Sequence, residues 1–108
     1  MLCSEAPNHG EIWWYETPDH TARPHLVLTR DEAIPVLTAL LAIPATRTVR
    51  GIPTEVPLDE SDGMPVACVL TIDNLTTVQR SLLTRRITVL TPERMRQVCA
   101  ALAFATAC

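Results

Sequence analysis

In the run Leu41 to Leu58, LAIPATRTVRGIPTEVPL, an apolar segment ends at Thr46 and two arginines, Arg47 and Arg50, follow at once. Guanidinium groups held at the end of a strand can grip an anion through paired hydrogen bonds, and their planar fork suits phosphate better than a point charge does. The threonine hydroxyl beside them is one more donor. Loops at sheet ends are where such groups usually act. All nine basic residues are arginine, a composition that phosphate recognition and a simple coding preference for arginine explain equally well. Arg80, Arg85 and Arg86 form either a further basic rim or a set of scattered solvated charges. His20 and His25 can carry protons near neutral pH, although an isolated histidine is more often a bystander.

Several other chemistries lack their signatures. The four cysteines, Cys3, Cys68, Cys99 and Cys108, form no C-x-x-C pair, so zinc and thioredoxin-like sites have no support, and reduced thiols are expected. Cys68 and Cys99 lie in apolar runs and are expected in the core. The carboxylates of Asp59 to Asp62 do not follow a calcium-loop spacing, and neither a Gly-rich phosphate loop nor a Ser-His-Asp pattern is present. No metal and no cofactor is expected. A net charge of −3 argues against a protein that coats nucleic acid without specificity. At 108 residues, a single domain spanning 1–108 is expected. No apolar run approaches the length of a membrane span and the start does not read as a signal peptide, so a cytoplasmic location is expected.

These side chains need a scaffold, and the pattern is mainly β. Gly10 to Tyr15 reads as a first strand, with Ile12 and Trp14 on one face and Glu11, Trp13 and Tyr15 on the other. One of the two tryptophans is expected in the core; the other can stack a base or cover a partner, although structural packing is the commoner use of either. Arg23 to Thr29 is a second strand, with Pro24 tolerated at its start. Asp31 should cap a short turn, Leu37 to Thr46 is a buried strand, and Thr54 to Leu58 is an edge strand marked by Pro57. Val66 to Ile72 is a buried strand whose end, Asp73, caps a turn or orients an arginine. Thr76 to Val78 continues extended, and Arg85 to Leu90 is the last strand. Thr91, Pro92 and Glu93 then open a helix, and Met95, Val98, Cys99 and Leu102 form its apolar stripe. Five or six strands and a C-terminal helix point to a closed or half-closed barrel.

The order of these pieces resembles the MazF/PemK family of toxin endoribonucleases over nearly the whole chain. The pieces that carry the resemblance are Gly10-Glu11-Ile12-Trp13-Trp14, Arg23-Pro24, Ile43-Pro44-Ala45-Thr46, Pro53-Thr54-Glu55-Val56-Pro57-Leu58, Val69-Leu70-Thr71-Ile72-Asp73-Asn74 and Leu90-Thr91-Pro92-Glu93. The resemblance implies a CcdB-like fold, an SH3-like β-barrel with a C-terminal α-helix, acting as a homodimer that cuts single-stranded RNA and is held in check by a small antitoxin. It also implies that Arg23 and Thr46 are the catalytic pair. The RNA-binding set expected around them is His25, Arg47, Arg50, Arg80, Arg85 and Arg86. Two rival readings are a gyrase poison of the same fold and an inactive relative that only binds an antitoxin.

Overall fold

A computed structural model describes residues 6–108. The strands are β1 (Glu11–Glu16), β2 (Ala22–Val27), β3 (Ala39–Thr46), β4 (Glu55–Leu58), β5 (Cys68–Thr71), β6 (Thr76–Gln79) and β7 (Leu83–Val89), followed by one helix, α1 (Pro92–Thr106). The expected class is the observed one, with seven strands in place of five or six because Thr76–Gln79 pairs with β3 as a strand of its own. All ladders are antiparallel. The path runs β4-β5-β3-β2-β1-β7, and among the described residues no ladder joins β4 to β7, so the sheet bends without closing. Pro57 indeed falls on an end strand, where its missing N–H costs no ladder bond.

β3 is the organising strand. Its first half pairs with β6 on one side, its middle with β2 on the other, and its last two residues with β5. Pro44, which has no N–H to donate, sits where β3 exchanges β6 for β5. Alternation along β1 to β3 feeds two apolar clusters. Ile12, Leu26, Ile43, Leu70, Ile72 and Val98 pack between the sheet and α1, whereas Trp13, Val27, Ile34, Leu40, Ala42 and Val78 pack on the opposite face. Covering both faces is what allows nearly unbroken apolar runs, and each fully buried aliphatic or aromatic side chain is worth about 1.5–3 kcal/mol.

α1 begins as its sequence requires. Thr91 accepts the N–H of Arg94, and Pro92 occupies the first turn. Its buried stripe is shifted from the expected one: Val98 and Ala101 are buried and Met95, Leu102 and Ala105 pack beside them, but Cys99 is exposed. The stripe turns because the helix seats its narrow Ala101 side against the core. Cys68 is buried as expected, and Cys3 lies outside the described residues.

Three other local expectations change. Asp31 spends its carboxylate on the N–H of His9 at 2.7 Å rather than on a cap, and the turn that follows, Ile34–Val36, starts at Ala33 without a side-chain cap. Leu37 and Leu41 are exposed, since the start of β3 is covered on one face only. Asp73 accepts the Thr54 hydroxyl at 2.5 Å instead of capping a turn or orienting an arginine. The acidic segment is also tied to the terminal helix. Asp62 takes both Nε and Nη2 of Arg94 at 3.0 Å and fastens the turn Glu60–Asp62 to α1.

Candidate active site

The β2–β3 ladder ends at the pair His25 and Pro44. Beyond it β2 stays with β1 through Pro24, Arg23 and Ala22, while β3 leaves to pair with β5 through Ala45 and Thr46. Two strands that part company open a gap between them. The gap is a cleft of about 550 Å³ lined on the β2 side by Ala22, Arg23 and Pro24 and on the β3 side by Ala45, Thr46, Arg47 and Thr48. If the ladder ran on in register, Arg23 would face Thr46. The two instead stand across the mouth of a cleft, Arg23 exposed and Thr46 half-buried.

A third wall comes from far along the chain: Met64, Pro65, Val66 and Cys68, which lead into and begin β5. Trp14 of β1, paired with Pro24, completes the lining. Local sequence does not signal Met64, Pro65, Val66 or Cys68, whose place depends on β5 pairing with β3, a contact between segments more than twenty residues apart.

The hydrogen bonds prepare the donors. Thr46 Oγ1 accepts the N–H of Thr48 at 3.2 Å, which leaves the hydroxyl proton free to donate into the cleft. On the loop that follows, Gly51 adopts a positive φ of 71°, and the N–H groups of Arg50 and Gly51 converge on the Glu55 carboxylate at 2.8–3.1 Å. Such a backbone nest binds anions, and here an internal carboxylate fills it, which anchors the loop beside Thr46. Burial, helped by the charge of Asp62, pushes the Cys68 thiol up, the opposite of what activates a nucleophilic cysteine.

Of the sequence-selected residues, the cleft gathers Arg23, Thr46 and Arg47. The others lie elsewhere. Arg50 opens on the far side of its loop, toward Thr54, Thr71 and Asp73. Arg80 donates to the Ile34 carbonyl in a separate groove near Asn8 and Asp31. Arg86 pairs with the buried carboxylate of Glu11 at 3.3 Å, and Arg85 is exposed on β7. His25 shares its face with Arg23 but is only 6 % exposed, with its ring edge-on to Tyr15 and Nδ1 3.1 Å from the Arg23 carbonyl.

Burial holds the His25 pKa below the usual histidine value, against the opposing hydrogen bond to the Arg23 carbonyl and with a smaller contribution from the Arg23 charge. A depressed value means that the folded state binds fewer protons than the unfolded one in acid. Stability is therefore expected to decline as pH falls below about 6.5 toward the lowered native value, and His25→Gln should flatten that decline. Urea midpoints at several pH values check it; an identical pH dependence in the variant would rule His25 out as the source.

Comparison with known proteins bears on the family and the fold. A family model described as "PemK-like, MazF-like toxin of type II toxin-antitoxin system" matches residues 8–105. The chain is 40 % identical over 103 residues, 94 % of each protein, to "Probable endoribonuclease MazF5" of Mycobacterium tuberculosis. It is 39 % identical to "Probable endoribonuclease MazF2" of the same species, over 92 % of this chain and 97 % of that protein. Among solved structures, Mycobacterium tuberculosis toxin MazF-mt6 superposes with a TM-score of 0.82 at 34 % identity, covering 90 % of this chain and 96 % of that one. A mycobacterial endoribonuclease in complex with its cognate antitoxin superposes with a TM-score of 0.84 at 26 % identity, over 94 % and 96 %. A match over almost the full length, in sequence and in fold, makes this chain a member of the PemK-like, MazF-like toxins of type II toxin-antitoxin systems.

Proposed function

We propose that the chain is an endoribonuclease toxin that cleaves single-stranded RNA at the cleft between the parted ends of β2 and β3. The observation that carries this reading is the meeting of Arg23 and Thr46 on one cleft, in a chain 40 % identical to a protein named as an endoribonuclease. In the reaction the ribose 2'-oxygen attacks the neighbouring phosphorus as its proton departs. The bond to the 5'-oxygen breaks in line, that oxygen takes up a proton, and the products are a 2',3'-cyclic phosphate and a 5'-hydroxyl. No side-chain nucleophile is needed. The protein supplies orientation and donors for the charge that grows on the phosphoryl oxygens. Arg23 gives a bidentate pair and Thr46 its hydroxyl proton.

The acting unit is a single toxin domain over 1–108, cytoplasmic and homodimeric, and its partner is a cognate small antitoxin. Support for the last comes from the similar mycobacterial endoribonuclease solved with its antitoxin. Among the described residues no helix is long and apolar enough to cross a membrane.

Incubation of the purified protein with mixed-sequence RNA in EDTA, followed by mapping of the new ends, tests the reaction. Cuts bearing cyclic phosphate and 5'-hydroxyl ends are expected; intact RNA would overturn the reading. The salt dependence of binding separates the two loop arginines. Arg47 lines the cleft, so Arg47→Gln should reduce the slope of log affinity against log salt by about 0.7, the value of one single-strand phosphate contact. Arg50→Gln, altering a side chain on the other side of the loop, should leave the slope unchanged.

A further inference from the structure

We propose that Trp14 is the platform on which a base next to the scissile phosphate stacks, an assignment that rests on the RNA-cleaving reading above. The two neighbouring tryptophans are used differently. Trp13 is 1 % exposed, belongs to the cluster beneath β1 to β3, and donates its indole N–H to Glu11 at 2.9 Å. Trp14 is half-buried and belongs to neither apolar cluster, although Tyr15 beside it packs on one of them. Trp14 lines the cleft that holds Arg23 and Thr46.

A large aromatic side chain that belongs to neither core and keeps part of its surface open on a cleft leaves a face on which a ligand can pack. What surrounds it fits a base. Pro24 pairs with Trp14 across the β1–β2 ladder, and Pro65 and Val66 line the same cleft, so the lining is apolar where a base would rest and cationic where a phosphate would. Stacking on an aromatic face is tolerant of base identity, since every base has a π face. Trp14 therefore positions the strand, and the groups around it choose the sequence.

Tryptophan fluorescence reads this directly, because Trp13 is shielded and a bound base can quench only Trp14. The probe is a mixed-sequence oligonucleotide with every ribose 2'-O-methylated, which the enzyme cannot cut. Wild-type protein should be quenched by it, and should not be quenched by an abasic strand of equal length and charge. Trp14→Phe should lose the quench. In cleavage of the mixed RNA, Trp14→Ala should raise KM about 5- to 150-fold and Trp14→Phe less, with the loss in KM rather than in kcat. Arg23→Ala, with Trp14 intact, should still be quenched.

An unquenched wild type that still cuts RNA would overturn the Trp14 assignment and leave the nuclease reading standing. So would a Trp14→Ala protein of native circular dichroism whose KM is unchanged. Failure of the wild type to cut RNA at all would remove the reading on which the assignment rests.

Discussion

Arg23→Ala is expected to slow RNA cleavage about 100- to 1,000-fold, the usual cost of removing one preorganised donor from a developing oxyanion. Thr46→Val, which keeps the shape and removes the hydroxyl, should cost a similar factor or somewhat less. Arg23 is exposed and Thr46 half-buried, so neither change disturbs a packed core and thermal unfolding should be near that of the wild type. Arg23→Lys should recover only part of the rate, because an ammonium presents no planar fork to two phosphoryl oxygens. Thr46→Ser should recover most of it. The double variant should lose less than the product of the single losses, since both donors serve the same charge. The check is single-turnover cleavage with saturating enzyme. If neither single variant slowed that rate, the cleft would not be the reaction centre.

Gly63→Ala is expected to destabilise the fold by about 2–5 kcal/mol, the sum of a left-handed conformation forced on an L-residue and an overpacked contact. Gly63 closes the turn Glu60–Asp62 with φ of 92°, and an added Cβ would lie 2.8 Å from Thr88 Cβ and collide with Thr88 Oγ1. That hydroxyl donates to the Asp62 carbonyl at 2.8 Å. Asp62 in turn holds Arg94 of α1 with a side chain only 8 % exposed. One methyl group thus strains the junction of turn, β7 and helix together. Gly51→Ala is the control: Gly51 also has a positive φ, of 71°, but an added Cβ meets nothing within 4 Å. It should cost only the conformational term, about 1–2 kcal/mol. Urea unfolding of both, and of Gly63→Ala combined with Thr88→Ala, which removes the contact with Oγ1 but keeps the one with Cβ, gives the comparison. Equal losses at Gly63 and Gly51 would show that the contact with Thr88 carries no strain.

Much of the site was legible because it lies at element ends, which composition and punctuation mark well. Thr46 could be read as the end of a strand since Arg47 breaks the apolar run, and Arg23 as a strand start because Pro24 follows it. Pro57 as an edge residue and Thr91 as a helix cap rest on the same kind of local rule, a missing N–H or an available side-chain oxygen. The arginines were harder. Nothing in the spacing of Arg50, Arg80 and Arg86 says that one turns to the far side of its loop, one reaches the Ile34 carbonyl and one pairs with Glu11.

The sequence by itself therefore determined the mainly β class, the start of the terminal helix, and which strand ends carry Arg23 and Thr46, because each follows from backbone preferences acting over a few residues. Tertiary structure alone decided that these two ends face one another across a gap. β3 leaves β2 for β5 at Pro44, and that choice depends on Leu70 and Val69 arriving from more than twenty residues away. It also decided which tryptophan is core. Alternation assigns Trp13 and Trp14 to opposite faces, but only the packing of both faces of β1 shows that Trp13 is enclosed and Trp14 opens on the cleft. Periodicity describes one strand; a cleft belongs to the divergence of two.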